Sequence, residues 1–384
     1  MKNKSVGIAV VAAALAAGQA YAAFAGEQLT SLPKPPKGGR FKTPTDLVWP
    51  AKPGEADVCL WSGDRFACCS ITIDDNCKPD HDWWLKLSDE LGIKLTWFVI
   101  TDHCVKKNNT GFNGTWADWQ RLADAGHSIQ SHTTNHKAKH ADVPMPTDEE
   151  LHSMYRDSLK AINDNVTNNL ACCIAYPRGE PHPEIAAKYA IACRGVHGVP
   201  NAANSIDYMC TGKGAPGKGH VQMVAFGETS EGPKWIQGMK NLRRGWNVVL
   251  YHLVHAGRDD ATRAKNAASA EAEVRYIASL KDERLWVARF DDAVKYGQER
   301  DSATLESALK GDAVEFTLTD RMKDDLFDFP LTVKVRLPDG WKSAKATQGG
   351  KKAAVRIVSH EGAPYALVEA VPDRGTVRIT KSAL

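Results

Sequence analysis

The chain contains 384 residues, and its 49 Lys and Arg side chains nearly balance 46 Asp and Glu side chains. This length suits one large domain with a small one, or two medium ones. Because the formal net charge is only +3 and no basic stripe is interleaved with aromatic side chains, nucleic acid is not expected as a partner.

The first residues have the pattern of an export signal. A positive start, MKNK, precedes the short apolar stretch VGIAVVAAALAAG, and the small-residue triplets AYA and AFA follow. Cleavage after Ala22 or Ala25 fits these triplets. The apolar stretch is too short to span a bilayer, and no later stretch is long and apolar enough. We therefore expect residues 1–25 to be a signal peptide, with an uncleaved anchor as the alternative, and no transmembrane segment. The mature protein is expected to be exported, either periplasmic or extracellular.

A linker and a run of alternating strands and helices come next. Residues 26–60 are rich in Pro, Lys and Gly, which predicts an extended linker or a strap over the surface. Over residues 61–301, about seven strand-helix units alternate, and Thr147 with Glu150 fits a capping box at the start of one helix. The predicted strands are FACCSITI, IKLTWFVI, HSIQSH, ACCIAYP, ACRGVHG, WNVVLYH and LWVARF. Such alternation indicates an α/β fold, a distorted (β/α) barrel of about seven strands.

The pattern changes again in residues 302–384. Short alternating runs such as AVEFTLTD, LTVKVRLP and TVRITK are separated by turns, which predicts a small antiparallel domain resembling a β-sandwich. Its only Trp is Trp341 and its only Tyr is Tyr365. The lack of an aromatic strip favours a packing or interface role for this domain over sugar stacking.

Nine cysteines lie between Cys59 and Cys210. In an exported protein they can oxidise, and an odd number leaves at least one thiol outside an intramolecular bridge. No spacing matches a zinc ribbon, so we expect disulfides and buried thiols. The candidate bridges are Cys77–Cys104 and Cys193–Cys210, and the adjacent pairs Cys68–Cys69 and Cys172–Cys173 are expected to divide between a core face and an outward face.

Polar side chains follow four of the predicted strands. The active site of such barrels lies at the C-terminal ends of the strands. A single His pair in a loop is usually solvated and a single Asp pair usually caps a helix, but together on one rim they favour a metal hydrolase. Two imidazoles and one carboxylate leave Zn²⁺ a coordination position for water. The residues at the strand ends are Asp74, Asp75, His132, His136, the Pro177-Arg178-Gly179 run and His252.

These segments resemble the motifs of a known family, the polysaccharide deacetylases of the NodB-homology group, or carbohydrate esterase family 4. TIDDNC is similar to the first motif, HTTNH to the second, AYPRG to the third and LYH to the fifth. The resemblance covers residues 61 to 300, and it implies a carbohydrate polymer or oligosaccharide as substrate.

The resemblance also implies residue roles. Asp74 corresponds to the general base and His252 to the general acid, with His255 as the second candidate for the acid. Asp75, His132 and His136 correspond to the ligands of a divalent metal, Zn²⁺ or alternatively Co²⁺. The backbone N–H of Arg178 corresponds to a donor of the oxyanion site.

Two departures from the family pattern stand out. The arginine that orients the base in the third motif would fall at Ala175, and Arg178 is the candidate substitute. No convincing fourth motif, Asp-x-x-Asp-Trp, is present. Candidate sugar contacts are Tyr176 and Pro177 in the third motif and Trp235 ahead of the fifth.

The sequence therefore predicts an exported, metal-dependent carbohydrate deacetylase, with N-acetyl amino sugars favoured over O-acetyl groups. The alternative is a carbohydrate-binding protein on the same barrel that is weakly active or inactive, because the base-orienting arginine is missing. A structural envelope protein is the third hypothesis and requires an empty site.

Overall fold

The structure, a computed structural model, describes residues 28–34, 48–105, 111–139, 141–196, 201–203, 205–212, 228–229, 232–233, 244–281 and 285–383. The predicted signal peptide, most of the helix predicted from PKWIQGMKNLRRG, and Trp235 lie outside these residues. Within them, no helix has the length and apolarity that crossing a membrane requires.

The described residues form six α-helices and eighteen strands, joined by short 3-10 turns. The helices are α1 (His81–Leu91), α2 (Trp116–Asp124), α3 (Asp148–Asn165), α4 (Pro183–Ala186), α5 (Asp260–Ser279) and α6 (Phe290–Ser302). The strands are β1 (Ala56–Val58), β2 (Ala67–Ile73), β3 (Thr96–Val99), β4 (Ser128–Ser131), β5 (Cys173–Ala175), β6 (Ala192–Arg194), β7 (Glu228–Thr229), β8 (Gly232–Pro233), β9 (Trp246–Tyr251), β10 (Leu285–Val287), β11 (Thr304–Lys310), β12 (Ala313–Thr319), β13 (Leu331–Arg336), β14 (Ala344–Gln348), β15 (Lys351–Ala353), β16 (Val355–His360), β17 (Ala363–Ala370) and β18 (Val377–Lys381).

Seven parallel strands make the barrel, and β2 is its central strand. One edge of β2 pairs with β9 along six residues. Its other edge pairs with β10 near the start of the strand and with β3 near its end. From β3 the sheet continues through β4 and β5 to β6. Helices connect most of these strands, as parallel pairing requires. The predicted α/β barrel of about seven strands is confirmed.

An irregular segment connects the last strand of this path, β6, with β9. Thr211 forms a parallel bridge with Arg194 at the end of β6, and Asn201 forms an antiparallel bridge with Trp246 at the start of β9. The Asn201 side chain joins the two parts of this segment, because its Nδ2 donates to Gly212 O at 3.0 Å and its Oδ1 accepts from Gly212 N at 2.8 Å. The sheet is therefore curled far enough for its two ends to approach each other.

Both faces of the barrel sheet are covered. All seven residues of β2 are buried, the polar Ser70 and Thr72 included, as expected for a parallel strand that is covered on both faces. Cys69 packs with the helices, in a helix-side core that also contains Trp84 and Trp119. Cys68 packs on the opposite face, in a sandwich-side core that extends to Phe316.

The C-terminal strands form two antiparallel sheets, as the sequence pattern predicts. One has the order β1-β13-β17-β16 and the other β11-β12-β18-β14-β15. Their inner faces pack into the sandwich-side core together with barrel residues such as Trp246 and Phe290. Strand β1 comes from the predicted strap, and its pairing with β13 was not predicted. The strand β11 was also missed, because most of its side chains are exposed and give no apolar alternation.

Some local expectations are confirmed and others are wrong. Thr147 and Glu150 form the predicted capping box of α3. All nine cysteines lie in the described residues and none is bridged. The thiols of the predicted pair Cys77 and Cys104 contact backbone carbonyls instead, those of Asp74 at 3.2 Å and Ile100 at 3.8 Å.

The two adjacent cysteine pairs behave differently from each other. Cys68 and Cys69 divide between the two cores, although neither faces outward because both sheet faces are covered. Cys172 precedes β5 and does not alternate with Cys173, so both lie in the sandwich-side core with their Sγ atoms 4.0 Å apart.

Helix α5 brings a buried carboxyl group against the barrel. Glu273 is 7% exposed, and its Oε2 accepts a hydrogen bond from the Tyr251 hydroxyl at 2.6 Å. Burial raises the pKa of Glu273 from 4.5 to about 8. The folded protein therefore keeps a proton between these pH values that the unfolded chain releases. Because the folded state binds more protons in this window, stability falls as pH rises from 4.5 towards 8.

We expect Glu273→Gln to flatten this pH dependence, since an amide cannot lose the proton. The free energy of unfolding, measured by urea denaturation at pH 5 and pH 8, should fall by on the order of a few kcal/mol in the wild type and by clearly less in the variant. Glu271→Gln, at a half-buried position on the same helix where the carboxylate pairs with Arg275 at 2.8 Å, is the control. If the free energy of unfolding changed with pH equally in Glu273→Gln and in the wild type, Glu273 would be ionised in the folded protein.

Candidate metal centre and active site

Five of the residues selected from the sequence meet at one end of the barrel. His132 Nε2 lies 3.5 Å from Asp74 Oδ2 and 3.6 Å from Asp75 Oδ1. His136 Nε2 lies 4.0 Å from Asp75 Oδ1, and His252 Nε2 lies 3.4 Å from Asp75 Oδ2. They come from β2, β4 and β9, whose carboxyl ends meet on one rim because the strands are parallel.

Three of these side chains fit a metal ion. The ligand atoms of Asp75, His132 and His136 all lie within 4.8 Å of one another, and donors around tetrahedral Zn²⁺ are about 3.4 Å apart. His132 Nδ1 donates to Ala175 O at 2.9 Å, so its Nε2 carries the lone pair. Burial, and then His132, lowers the pKa of His136 to about 4. Both arrangements favour the neutral imidazole, which is the form that binds metals.

A strained loop carries Asp75. Three consecutive residues, Asp75, Asn76 and Cys77, have positive φ angles of 63°, 61° and 21°. The buried Asn76 side chain fixes this loop, since its Oδ1 accepts from Ile100 N at 2.8 Å and its Nδ2 donates to Asn113 O at 3.1 Å. Asn76 was not among the predicted site residues. The sequence contained one indication of this role. Asn76 directly follows two aspartates at a predicted strand end, and Asn adopts positive φ more readily than most residues.

The loop after β4 is held in the same manner. Thr133 and His136 have φ angles of 69° and 56°. The Ser131 hydroxyl accepts from Thr133 N at 2.9 Å, and the Thr133 hydroxyl accepts from His136 N at 3.1 Å. Ser131 also contacts the Ser158 hydroxyl of α3 at 2.6 Å. Short polar side chains therefore turn both imidazoles towards Asp75.

Arg194 is the main residue of this cluster that the sequence analysis missed. It ends β6, is fully buried, and donates from Nη2 to Asp74 Oδ2. Burial opposes the charged carboxylate, but Arg194 and His132 outweigh it, so the pKa of Asp74 lies below its usual range. Asp74 Oδ1 is buried and has no hydrogen-bond partner among the described residues. One oxygen of Asp74 is thus held, and the other is available to accept a proton.

The expected substitute for the missing arginine was therefore wrong. Arg178 is exposed, with a φ of 53°, and no contact between its guanidinium and Asp74 occurs in the described residues. The guanidinium that contacts Asp74 comes from β6, the neighbour of β5, in which the family pattern places an arginine. ACRGVHG contained a signal, namely an arginine within a short predicted strand, which the structure ends at Arg194. The oxyanion role of the Arg178 backbone N–H stays a prediction.

Two of the three candidate sugar contacts lie in the described residues, and the structure does not support either of them. The Tyr176 side chain is fully buried, and its hydroxyl donates to Met209 O at 2.8 Å. Pro177 is also buried. These positions do not fit direct contact between their side chains and a substrate, because β5 ends inside the helix-side core. Trp235 lies outside the described residues.

The two candidate acids occupy different environments. His252 faces Asp75, its side chain is 20% exposed, and burial lowers its pKa despite the nearby Asp74 and Asp75. His255 Nδ1 lies 2.6 Å from Oδ1 of the buried Asp80. Since Asp80 also accepts the backbone N–H of Val254, it holds the loop after β9. The structure thus brings His252, and not His255, to the carboxylates of the site.

A cavity of about 510 Å³ opens beside this cluster. Asp75 and His252 form part of its wall, and the remaining lining is Cys77, Phe112, Leu253, Ala256, Gly257 and Arg258. This cavity is large enough to hold part of an oligosaccharide next to the site.

Comparisons with known proteins agree with the motifs. Residues 64–193 match the polysaccharide deacetylase family. A gellan lyase from a Bacillus species is 36% identical over 373 residues, which cover 93% of this chain and 14% of the lyase. The chain thus corresponds to a small part of that relative's length.

Two of the similar solved structures are named as deacetylases. A putative polysaccharide deacetylase from Mycobacterium smegmatis has a TM-score of 0.41 at 15% identity, covering 65% of this chain and 94% of its own. A Streptococcus pyogenes deacetylase in complex with acetate has a TM-score of 0.35 at 18% identity, covering 44% and 68%.

The three-ligand cluster generates a prediction about metal binding. The chelator-treated wild type should bind one equivalent of Zn²⁺, and His132→Ala or Asp75→Ala should weaken binding by about 100-fold or more, because two remaining ligands cannot complete a tetrahedral site. Titration calorimetry with elemental analysis measures this. His152→Ala is the control, since His152 contacts Tyr189 at 2.8 Å outside the cluster. Full metal retention by His132→Ala would contradict the assignment.

Proposed function

From the match of residues 64–193 to the polysaccharide deacetylase family, we propose that the protein is a metal-dependent hydrolase that removes acetyl groups from a carbohydrate. The sequence motifs are similar to those of the same family. The observation that supports the proposal most directly is Asp74. Its carboxylate is buried beside the three candidate metal ligands, with one oxygen on Arg194 and the other without a partner among the described residues.

Asp74 is the general base in this proposal. Arg194 keeps the carboxylate ionised and fixes its orientation, so that Oδ1 accepts a proton from the attacking water. Because its charged form is stabilised, the Asp74 carboxylate can act as a base at neutral pH and below. The neighbouring Asp75 has a different environment, with its side chain 40% exposed, and therefore a different task, as one of the metal ligands.

Asp75, His132 and His136 are the residues that would hold the metal. When bound there, a divalent cation such as Zn²⁺ activates water and polarises the acetyl carbonyl. The backbone N–H of Arg178 is the proposed second donor to the developing oxyanion. The chain's own contribution is to hold the proposed base and acid beside the metal ligands, since Asp74 contacts His132 and His252 faces Asp75.

His252 is the proposed general acid. Its Nε2 faces the site at 3.4 Å from Asp75 Oδ2, so an imidazolium at this position can donate its proton to the departing nitrogen or oxygen. The same arrangement serves amides and esters, because neither base nor acid distinguishes the leaving atom. We propose an N-acetyl amino sugar as substrate, with O-acetyl groups as the alternative.

The proposed place of action rests on the sequence of the first 25 residues alone. Their signal-like pattern supports export, and we propose that the substrate is a carbohydrate outside the inner membrane. The non-catalytic alternative depended on the absence of an arginine to orient the base. Because Arg194 contacts Asp74, the structure gives no reason to prefer that alternative.

The role of Arg194 is tested by acetate release from acetylated glycans and aryl acetates. We expect Arg194→Gln to lower kcat by about 100-fold with KM and metal content little changed, because the base loses its orientation but the substrate and metal contacts remain. Arg194→Lys should recover part of the loss, and Arg178→Gln should lose less than Arg194→Gln since it keeps its backbone N–H.

Two controls accompany this experiment. Arg156→Gln removes an exposed guanidinium that pairs with Asp157 on α3, and circular dichroism shows whether each variant is folded. Equal activity of folded Arg194→Gln and wild type would exclude the orienting role. If the metal-loaded wild type released acetate from none of these substrates, the proposed function would be wrong.

The assignment of the acid predicts a dependence on the leaving group. His252→Ala should lower kcat/KM for N-acetyl sugars by about 100-fold or more, and for aryl acetates by much less, because a phenolate departs without protonation. His255→Ala should lower both to a similar, smaller extent, through the loop that Asp80 holds. A selective loss on poor leaving groups in His255→Ala would reverse the two assignments.

A further inference from the structure

The cavity beside the site carries a cation without a counterion. Arg258 lines it together with Phe112 and Leu253. The Arg258 side chain has neither an ion pair nor a hydrogen bond within the part of the chain that the structure describes. The nearest acidic residues in the sequence have other partners, since Asp259 accepts from Thr262 N at 2.8 Å and Asp260 pairs with Arg263.

The backbone that presents Arg258 is fixed. Gly257 has a φ of 152°, and a Cβ at this position would lie 2.9 Å from Thr262 Cγ2. Arg263 Nη1 donates to Gly257 O at 2.9 Å, and Asn266 Nδ2 donates to Ala256 O at 2.7 Å. Helix α5 thereby holds the segment before Arg258 from one side. A guanidinium on a fixed backbone loses less conformational entropy when it binds a ligand.

The rest of the lining is mostly apolar. Phe112 is 37% exposed, and its carbonyl accepts from Lys78 N at 2.9 Å, which fixes its backbone. Leu253 and Ala256 lie on the loop after β9. An apolar cavity wall with one guanidinium fits a sugar ring that packs through its C–H face and carries a negative charge at its edge.

We propose that this cavity is a subsite for a uronic acid, in which Arg258 binds the sugar carboxylate next to the acetylated residue at Asp75 and His252. A guanidinium matches a carboxylate through two parallel charge-assisted hydrogen bonds, which are stronger than those it forms with the uncharged hydroxyls of a neutral sugar. The local cation gives this preference even though the whole chain is nearly neutral. The position of the acetylated residue rests on the proposed function, whereas the binding of the uronic acid does not.

Binding is tested with the full chain and defined oligosaccharides. Titration calorimetry compares trigalacturonate, neutral xylotriose and a sulfated galactose trisaccharide, each without acetyl groups. We expect trigalacturonate to bind the wild type about 10-fold or more tighter than xylotriose, and Arg258→Gln to abolish this difference. Phe112→Ala should weaken both ligands. Arg374→Gln, which removes an exposed arginine of the C-terminal sandwich, is the matched control and should resemble the wild type.

The outcomes separate this inference from the proposed function. Equal affinity for trigalacturonate and xylotriose, or an unchanged preference in Arg258→Gln, overturns the subsite whether or not acetate is released. Tighter binding of the sulfated trisaccharide than of trigalacturonate overturns the carboxylate assignment. A preference that depends on Arg258, in a protein that releases no acetate from any substrate, supports the subsite and contradicts the deacetylase.

Discussion

The buried contact between Arg194 and Asp74 determines the charge and the geometry of the site. Their side chains are only 1% and 3% exposed, so both ions have lost most of their hydration. The desolvation cost for such a pair is several kcal/mol per ion, and the mutual attraction often does no more than offset it. The pair is therefore poorly explained as a source of stability. Its clear effect is to keep a carboxylate ionised inside the protein, next to a cluster of imidazoles.

The same contact requires the barrel to be curled. Asp74 follows β2, whereas Arg194 ends β6, and the strands β3, β4 and β5 lie between them in the sheet. A flat sheet with strands about 4.8 Å apart would separate β2 from β6 by roughly 19 Å. The two side chains meet because the sheet curves back on itself and the segment around Asn201 connects β6 with β9. The orientation of Asp74 is thus a property of barrel closure as well as of one residue.

This dependence explains what the sequence analysis predicted and what it missed. Asp74, Asp75, His132 and His252 directly follow strands and His136 lies in the loop after β4, and such positions are recognisable from apolar runs followed by polar residues. Arg194 ends a strand, but its partner lies 120 positions away in the chain. No local pattern records which strand faces which across a curled sheet. The third motif suggested an arginine in β5 or its loop, and β6 supplies it.

Other misses have local physical causes. Tyr176 follows the third-motif strand and has a polar tip, which suggested sugar contact, but its hydroxyl bonds to Met209 O inside the core. Aromatic residues with one polar atom often have such buried partners. The strand β1 is only three residues long, too short for an alternating pattern to appear. Its pairing with β13 depends on the C-terminal sheet, more than 270 residues later in the chain.

Because β2 is buried on both of its faces, the loop that follows it can keep a strained backbone. Three successive residues with positive φ, Asp75 to Cys77, cost on the order of 1–3 kcal/mol each. A loop on a mobile strand would relax by shifting that strand. Here β2 is buried on both faces by the helix-side and sandwich-side cores, and Asp74 N bonds to Tyr251 O at 2.9 Å. Since the strand cannot move without opening both cores, the Asn76 bonds are sufficient to hold the loop in its strained form. The C-terminal sandwich contributes no side chain to the five-residue cluster, but its packing under β2 helps to fix the direction of Asp74 and Asp75.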